Sequence, residues 1–203
     1  MMPNMKYAAA ATMLMATAAT SAPPVALQSG LYEGMMLAVA PDGSVTGAFR
    51  QERGEAVTRS CAFTIAGARG LTGQVMIQAR THGGTRLRGT LRPTPAGISL
   101  DLPGVSDVPG CGDVLPSVRA NVVELDRTAP GNWSTLVRVA RGRAVLRPTA
   151  TGRAARGPYV VAGDVVGVIA RRGEMLHVAY PSSGGRESRG WISTREVIPV
   201  PAS

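Results

Sequence analysis

The sequence predicts an all-β protein, with an N-terminal antiparallel β-barrel or sandwich and a small C-terminal barrel. Two observations support this fold class. Apolar and polar residues alternate in short segments that recur roughly every 10–15 residues, which is typical of consecutive strands joined by turns. The chain of 203 residues also contains 25 Gly and 15 Pro, which favour tight turns over long helices.

Residues 1–22 have the pattern of a cleaved secretory signal peptide. Lys6 supplies one positive charge, residues 8–19 form an uncharged and mostly apolar run, and residues 20–22 are small. The apolar run is shorter than a bilayer span, which takes about 20 residues, and this favours a cleaved signal. An uncleaved anchor is the alternative. The mature chain is therefore expected to be periplasmic or secreted, without a transmembrane segment.

Residues 23–126 are predicted to form the N-terminal domain. Residues 31–40 predict the first strand, Pro41-Asp42-Gly43 predicts a turn, and residues 44–49 predict the partner strand. Further alternating segments continue the pattern at 61–65, 75–79, 86–92 and 98–102. This order predicts an antiparallel meander, either closed into a barrel or flattened into a sandwich.

The two cysteines, Cys61 and Cys111, predict one disulfide if the compartment is oxidising. The bond would tie the irregular segment 103–116, which is rich in Gly and Pro, to a strand. Two free buried thiols are the alternative. A metal site is not expected, because two cysteines and distant histidines lack the spacing of a ligand set. No cofactor is expected either.

Positive charge is concentrated in the second half of the mature chain. Residues 23–126 contain nine Arg and nine acidic residues, whereas residues 127–203 contain twelve Arg and four acidic residues, a net charge of +8. Solvated Arg-rich faces are the simplest interpretation. Attraction to an anionic envelope surface is the functional interpretation. Nucleic acid is not an expected partner, because the exported chain has few aromatic residues to stack on bases.

The sequence contains no recognisable catalytic constellation. A Ser–His–acid triad would have to use His82 or His177, yet no nucleophile elbow is present and His82 belongs to a turn sequence with two glycines. Metalloprotease, phosphate-loop and dinucleotide motifs are also missing from the sequence. We therefore expect no enzymatic activity and assign no catalytic residue.

Residues 127–134 are the predicted linker, and residues 135–200 the second domain. This domain resembles the bacterial SH3-like family. Its pieces follow in the family's order: a strand ending in Leu146-Arg147, a long polar loop, Gly163-Asp164-Val165, and a closing Gly190-Trp191-Ile192. Many family members carry a Trp near position 175, where this chain has Met175. The resemblance implies a small barrel.

The resemblance also implies binding rather than catalysis, with peptidoglycan or peptides as ligands. Carried over to this chain, it implies a binding site of Trp191, Tyr159 and Tyr180, with Arg147 nearby. Aromatic walls would supply flat apolar surface, and the Arg would pair with a carboxylate. The alternative is that Trp191 and Tyr180 are ordinary core residues of the barrel.

Three functions follow as hypotheses. The first is an exported, non-catalytic envelope protein whose SH3-like domain docks to peptidoglycan, a peptide or another anionic partner. The second is an inhibitor or interaction partner of another envelope protein, acting through the N-terminal domain by fold analogy. The third is ligand storage inside the N-terminal barrel, which requires a cavity lined by Met35, Leu37, Phe49 and Leu87.

Overall fold

The computed structural model describes residues 25–55, 58–70, 74–115, 121–152, 157–181 and 186–200. The predicted signal peptide, residues 1–22, lies outside these ranges. Within them, no helix has both the length and the apolar character needed to cross a bilayer. The regular structure is almost entirely β, in an N-terminal barrel and a separate C-terminal group of strands, so the all-β prediction is confirmed.

The N-terminal unit is a closed antiparallel barrel, not a sandwich. Each strand pairs with the next along the chain, and the last pairs back with the first. The eight strands are β1 (Gly30–Tyr32), β2 (Met35–Val39), β3 (Val45–Arg53), β4 (Arg59–Arg69), β5 (Val75–Thr81), β6 (Arg86–Pro93), β7 (Gly97–Asp101) and β8 (Val122–Pro130). Such closure leaves no free sheet edge in the barrel.

The first predicted strand, residues 31–40, is wrong in one respect, because this segment contains a hairpin. Glu33 and Gly34 form a turn between β1 and β2, and Gly34 has a φ of 71°, which glycine adopts without steric cost. The turn was not predicted because apolar residues precede and follow it in the sequence. The turn predicted between β2 and β3 is confirmed, and Asp42 Oδ1 accepts a hydrogen bond of 2.9 Å from the backbone N–H of Ser44.

The barrel interior is packed with side chains. Met35, Leu37 and Phe49 are at most 2% exposed. A ligand-sized cavity beside them would admit water-sized probes and would make these side chains more exposed than they are. A Cβ added to Gly47 would lie 2.6 Å from Met35 Cε and 2.7 Å from Ile65 Cγ1. The structure therefore lacks the space beside these side chains that the ligand-storage hypothesis requires.

Cys61 and Cys111 form the predicted disulfide, so the chain has no free cysteine. Cys111 begins the short helix α1 (Cys111–Val114), which follows a 3₁₀ turn at Val105–Asp107. Arg59 on β4 also pairs with Asp113 of α1. The disulfide and this ion pair hold the connection between β7 and β8 against β4, as the sequence predicted for the segment 103–116.

The C-terminal unit contains a five-stranded and a two-stranded antiparallel sheet. Its strands are β9 (Thr135–Val139), β10 (Arg143–Val145), β11 (Tyr159–Val161), β12 (Val165–Arg172), β13 (Met175–Pro181), β14 (Glu187–Ser193) and β15 (Val197–Pro199). The larger sheet has the order β14-β13-β12-β9-β15, and β10 pairs with β11. A second apolar core lies between the two sheets and includes Ala144, Val160, Val166, Val178 and Ile192.

The connection between the two units is shorter than the predicted linker 127–134. Strand β8 extends to Pro130 because its last residues pair with β1 and close the barrel, which leaves only 131–134 between β8 and β9. Within this short connection Trp133 is buried, with 2% exposure. A Cβ added to Gly131 or Gly167 would lie 2.4 or 2.5 Å from its indole ring, so both glycines make room for it.

Trp133 is the centre of a small apolar cluster between the units. The cluster draws residues from β2, β9 and β13 and consists of Met36, Ala38, Trp133, Leu136, Ala179 and Val200. Two hydrogen bonds cross the same interface. Trp133 Nε1 donates to the carbonyl of Leu37 at 2.7 Å, and the N–H of Leu136 donates to Thr46 Oγ1 at 3.0 Å. The two units therefore contact each other through packed and polar groups.

Candidate functional site

Two of the motifs that prompted the SH3-like expectation meet in the folded chain. Arg147 and Trp191 form an isolated antiparallel bridge, with backbone hydrogen bonds of 2.9 and 2.8 Å in the two directions. Gly190 allows this approach, because a Cβ there would lie 2.7 Å from Leu146 Cβ and 2.9 Å from the Arg147 carbonyl oxygen. The glycine before the tryptophan is thus required by backbone proximity.

Trp191 is half-buried on the face of the five-stranded sheet opposite the C-terminal core. It is the cross-strand partner of His177, and the two rings stack with centroids 5.1 Å apart and planes inclined by 22°. The Arg172 guanidinium lies 6.0 Å from the centre of the Trp191 ring, at the outer limit of a cation–π contact. These three side chains, Arg172, His177 and Trp191, form what we call the tryptophan surface.

Arg147 adds a further cation beside this surface through its bridge to Trp191. Its Nε atom is buried and finds no hydrogen-bond acceptor among the residues that the structure describes. A carboxylate could accept hydrogen bonds from the outer guanidinium nitrogens of Arg147, which are not among the buried unpaired atoms.

Tyr180 does not join Trp191. On β13, Leu176, Val178 and Tyr180 share the core face, as the alternation predicted, and the register places Trp191 beside His177 on the other face. The Tyr180 hydroxyl donates to Asp164 Oδ1 at 3.3 Å. Burial, followed by the charge of Asp164 and this hydrogen bond, raises the pKa of Tyr180 above its usual value of 10.0.

Tyr159 belongs to a different part of the C-terminal unit. It lies on β11 and is 49% exposed, and Arg143 of the neighbouring strand covers its ring at 3.6 Å. Val161, on the same outward face, is 42% exposed. The described structure bridges Trp191 and Arg147 through their backbones and places the two tyrosines on other surfaces.

Asp164 has a local structural role in the turn before β12. Its Oδ2 accepts a hydrogen bond of 2.8 Å from the N–H of Val161, and its carbonyl accepts one of 2.9 Å from Val139. The preceding Gly163 has a φ of 94°, which explains glycine at that position. The Gly-Asp motif thus sets the turn and places a carboxylate under Tyr180.

The two histidines lie in different units, His82 after β5 of the barrel and His177 on β13. Within the described ranges, no three His, Cys, Asp or Glu side chains are grouped in a way that could hold a metal ion. The stacking contact with Trp191 accounts for the position of the His177 ring.

Neither Arg172 nor Trp133 was predicted from the sequence to belong to a site or an interface. Arg172 belongs to the tryptophan surface because β12 runs beside β13 with a register shift between Val168 and Ala170. No local pattern encodes that shift. Trp133 could have been noticed, since a lone tryptophan in a short linker commonly has an apolar surface to cover.

Comparisons of the chain with models of protein families, with curated proteins and with solved structures found no match.

Proposed function

We propose that this chain is an exported, non-catalytic binding protein of the cell envelope. Its C-terminal unit acts as an SH3-like domain that docks to peptidoglycan, or to a peptide or other anionic partner. The observation that carries the proposal is the tryptophan surface, in which a half-buried Trp191 stacks on His177 with Arg172 over its ring. Arg147 is bridged to the backbone of Trp191 beside it. Flat apolar rings beside cations suit a ligand that has both apolar and carboxylate groups.

The charge pattern of the C-terminal unit supports an anionic ligand. All four of its acidic residues are engaged: Glu187 pairs with Arg189, Glu174 pairs with Arg195 at 3.0 Å, and Glu196 and Asp164 accept backbone hydrogen bonds of 2.9 and 2.8 Å. Among the described residues, no carboxylate forms an ion pair with Arg147 or Arg172. These two cations are therefore positioned to meet a ligand's negative groups.

The test is retention of the mature chain on purified peptidoglycan at low salt. We expect Trp191→Leu and Arg172→Gln to reduce retention severalfold, because they remove the stacking surface and one of its cations. The matched control is Arg88→Gln, which removes one exposed positive charge from strand β6 of the barrel. Loss of retention in the control as well would indicate non-specific charge attraction and contradict the proposal.

The same experiment separates this function from the alternative of an envelope protein's inhibitor or partner. If the wild-type chain is not retained on wall material but co-purifies with an envelope protein, the wall-binding proposal is wrong. Sensitivity of that co-purification to Arg88→Gln, and not to Trp191→Leu, would favour a role for the N-terminal barrel. Export has its own measurement: the mass of the protein from a periplasmic or culture fraction should lack the signal segment.

A further inference from the structure

A cleft of about 430 Å³ lies between the two units, on the outside of the barrel. Its barrel wall consists of two cross-strand rows on β3, β4 and β5. One row contains Ala48, Thr64 and Arg80, and the other contains Arg50 and Ala62, with the N–H of His82 bonded to the Ala62 carbonyl. The small residues in the middle of each row leave a depression with longer cationic side chains around it.

The C-terminal unit supplies the opposite wall through Arg138, Gly163 and Val165. Arg138 is directed to this side by the alternation of β9, where Val137 and Val139 belong to the C-terminal core and Leu136 contacts the barrel. Leu136 lies two residues before Arg138 on β9. Its N–H donates a hydrogen bond of 3.0 Å to Thr46 Oγ1, and this bond holds β9 against β3. The two walls are therefore held together close to the cleft.

The lining of the cleft is strongly basic. Its lining includes Arg50, Arg80, Arg138 and His82, and among the described residues no Asp or Glu lines it. This is not an average property of the barrel, because residues 23–126 carry equal numbers of Arg and acidic residues. A neighbouring cleft of about 470 Å³ shares Arg50, Thr81 and His82, and none of the described residues that line it is acidic.

Arg50 pairs with the carboxylate of Glu52 at 2.7 Å. Both side chains are exposed, at 78% and 45%, and exposed pairs of this kind contribute little. An incoming anion could therefore share the Arg50 guanidinium at small cost. Among the described residues, no acidic side chain forms an ion pair with Arg138.

We propose that this interdomain cleft binds a ligand through a carboxylate or phosphate group, held jointly by Arg138 of the C-terminal unit and by Arg50 and Arg80 of the barrel. Guanidinium groups on two walls match the several acceptor oxygens of such an anion. The site is separate from the tryptophan surface and does not depend on the function proposed for it. Because it needs both units, it gives their packed interface a functional reason.

The test is calorimetric titration of the mature full chain with citrate and, separately, with pyrophosphate at low salt. The two arms distinguish a carboxylate from a phosphate ligand. We expect at least one of them to bind, and Arg138→Gln to weaken that binding about tenfold or more, the usual effect of removing a charged hydrogen-bond donor. The matched control is Arg143→Gln, which removes the same charge from the outward face of β10 and should change the affinity less than about twofold.

A second variant tests the site without changing charge. Ala62→Leu places a larger side chain on the floor of the cleft and should also weaken binding, while the thermal transition shows that the variant is folded. The proposal is overturned if neither anion binds, or if Arg143→Gln weakens binding as much as Arg138→Gln does. Trp191→Leu should leave anion binding unchanged, so failure here and failure of wall retention are distinguishable.

Discussion

Trp133 Nε1 donates a hydrogen bond of 2.7 Å to the carbonyl oxygen of Leu37, across the boundary between the barrel and the C-terminal unit. The indole is buried, and Gly131 and Gly167 make room for its ring because neither carries a side chain. One residue of the short connection thus contributes both an apolar contact and a polar contact to the interface. This packing gives the C-terminal unit a defined position relative to the barrel, and the interdomain cleft depends on that position.

Replacing Trp133 tests how strongly the interface couples the units. We expect Trp133→Phe to lower the free energy of unfolding by about 1–3 kcal/mol, because it leaves a buried carbonyl without its partner. Trp133→Ala should cost about 3–5 kcal/mol, since it also creates a cavity. Urea unfolding followed by circular dichroism measures both. Equal stability of wild type and Trp133→Phe would mean that the hydrogen bond contributes nothing.

Gly190→Ala should disturb the approach of β14 to the Leu146-Arg147 segment. The added methyl group would lie 2.7 Å from Leu146 Cβ, and overpacking of this kind costs about 1–3 kcal/mol. We expect a lower thermal midpoint and a changed tryptophan fluorescence, because the bridge between Arg147 and Trp191 is displaced. The control is Gly83→Ala, where the nearest atom is 4.0 Å away. A similar loss in both variants would contradict the steric explanation.

The disulfide should be a major contributor to the stability of the barrel. Cys61 and Cys111 are 50 residues apart, and a loop of that length gives about 4 kcal/mol in the chain-entropy model. We expect the Cys61→Ala/Cys111→Ala double variant to unfold at clearly lower urea concentration than the oxidised wild type. A reducing agent should destabilise the wild type and leave the double variant unchanged. Insensitivity of the wild type to reduction would contradict this expectation.

Alkaline pH should destabilise the protein partly through Tyr180. Its pKa is raised in the folded state, chiefly by burial, so the unfolded chain releases the phenol proton first. The stabilising contribution is therefore complete below the ordinary value of 10.0 and is lost as the pH rises through the folded-state pKa. We expect Tyr180→Phe to reduce the loss of stability above that pH.

Urea unfolding at neutral and strongly alkaline pH measures this difference. Tyr32, whose pKa is also raised by burial, contributes a second alkaline loss that Tyr180→Phe leaves in place. The Tyr32→Phe variant therefore serves as the companion measurement. An unchanged pH dependence in both variants would show that neither phenol is responsible.

Local sequence patterns predicted most of the strands and the face of the sheet on which their residues lie. The alternation of Leu176, Val178 and Tyr180 against His177 and Ala179 appears in the folded β13 as predicted. The same patterns gave two errors. A hairpin turn at Gly34 was hidden between apolar residues, and the predicted linker began within β8.

The candidate site was only partly accessible from the sequence. Arg147 and Trp191 were named together, and they are bridged in the structure, but Tyr180 lies on the other side of the sheet and Tyr159 lies beside Arg143. Residue type and motif order identified candidates. They could not give the cross-strand partners, because those depend on register between distant segments.

The sequence by itself determined the all-β class and the concentration of arginine in the C-terminal half, and it allowed one possible disulfide between its only two cysteines. These follow from local periodicity and composition. Only the tertiary structure decided that the first eight strands close into a barrel, that Arg172 lies over Trp191, and that Arg138 faces the barrel. Such contacts join residues far apart in the chain, and they arise from long-range strand registry and from the packing of one unit on the other.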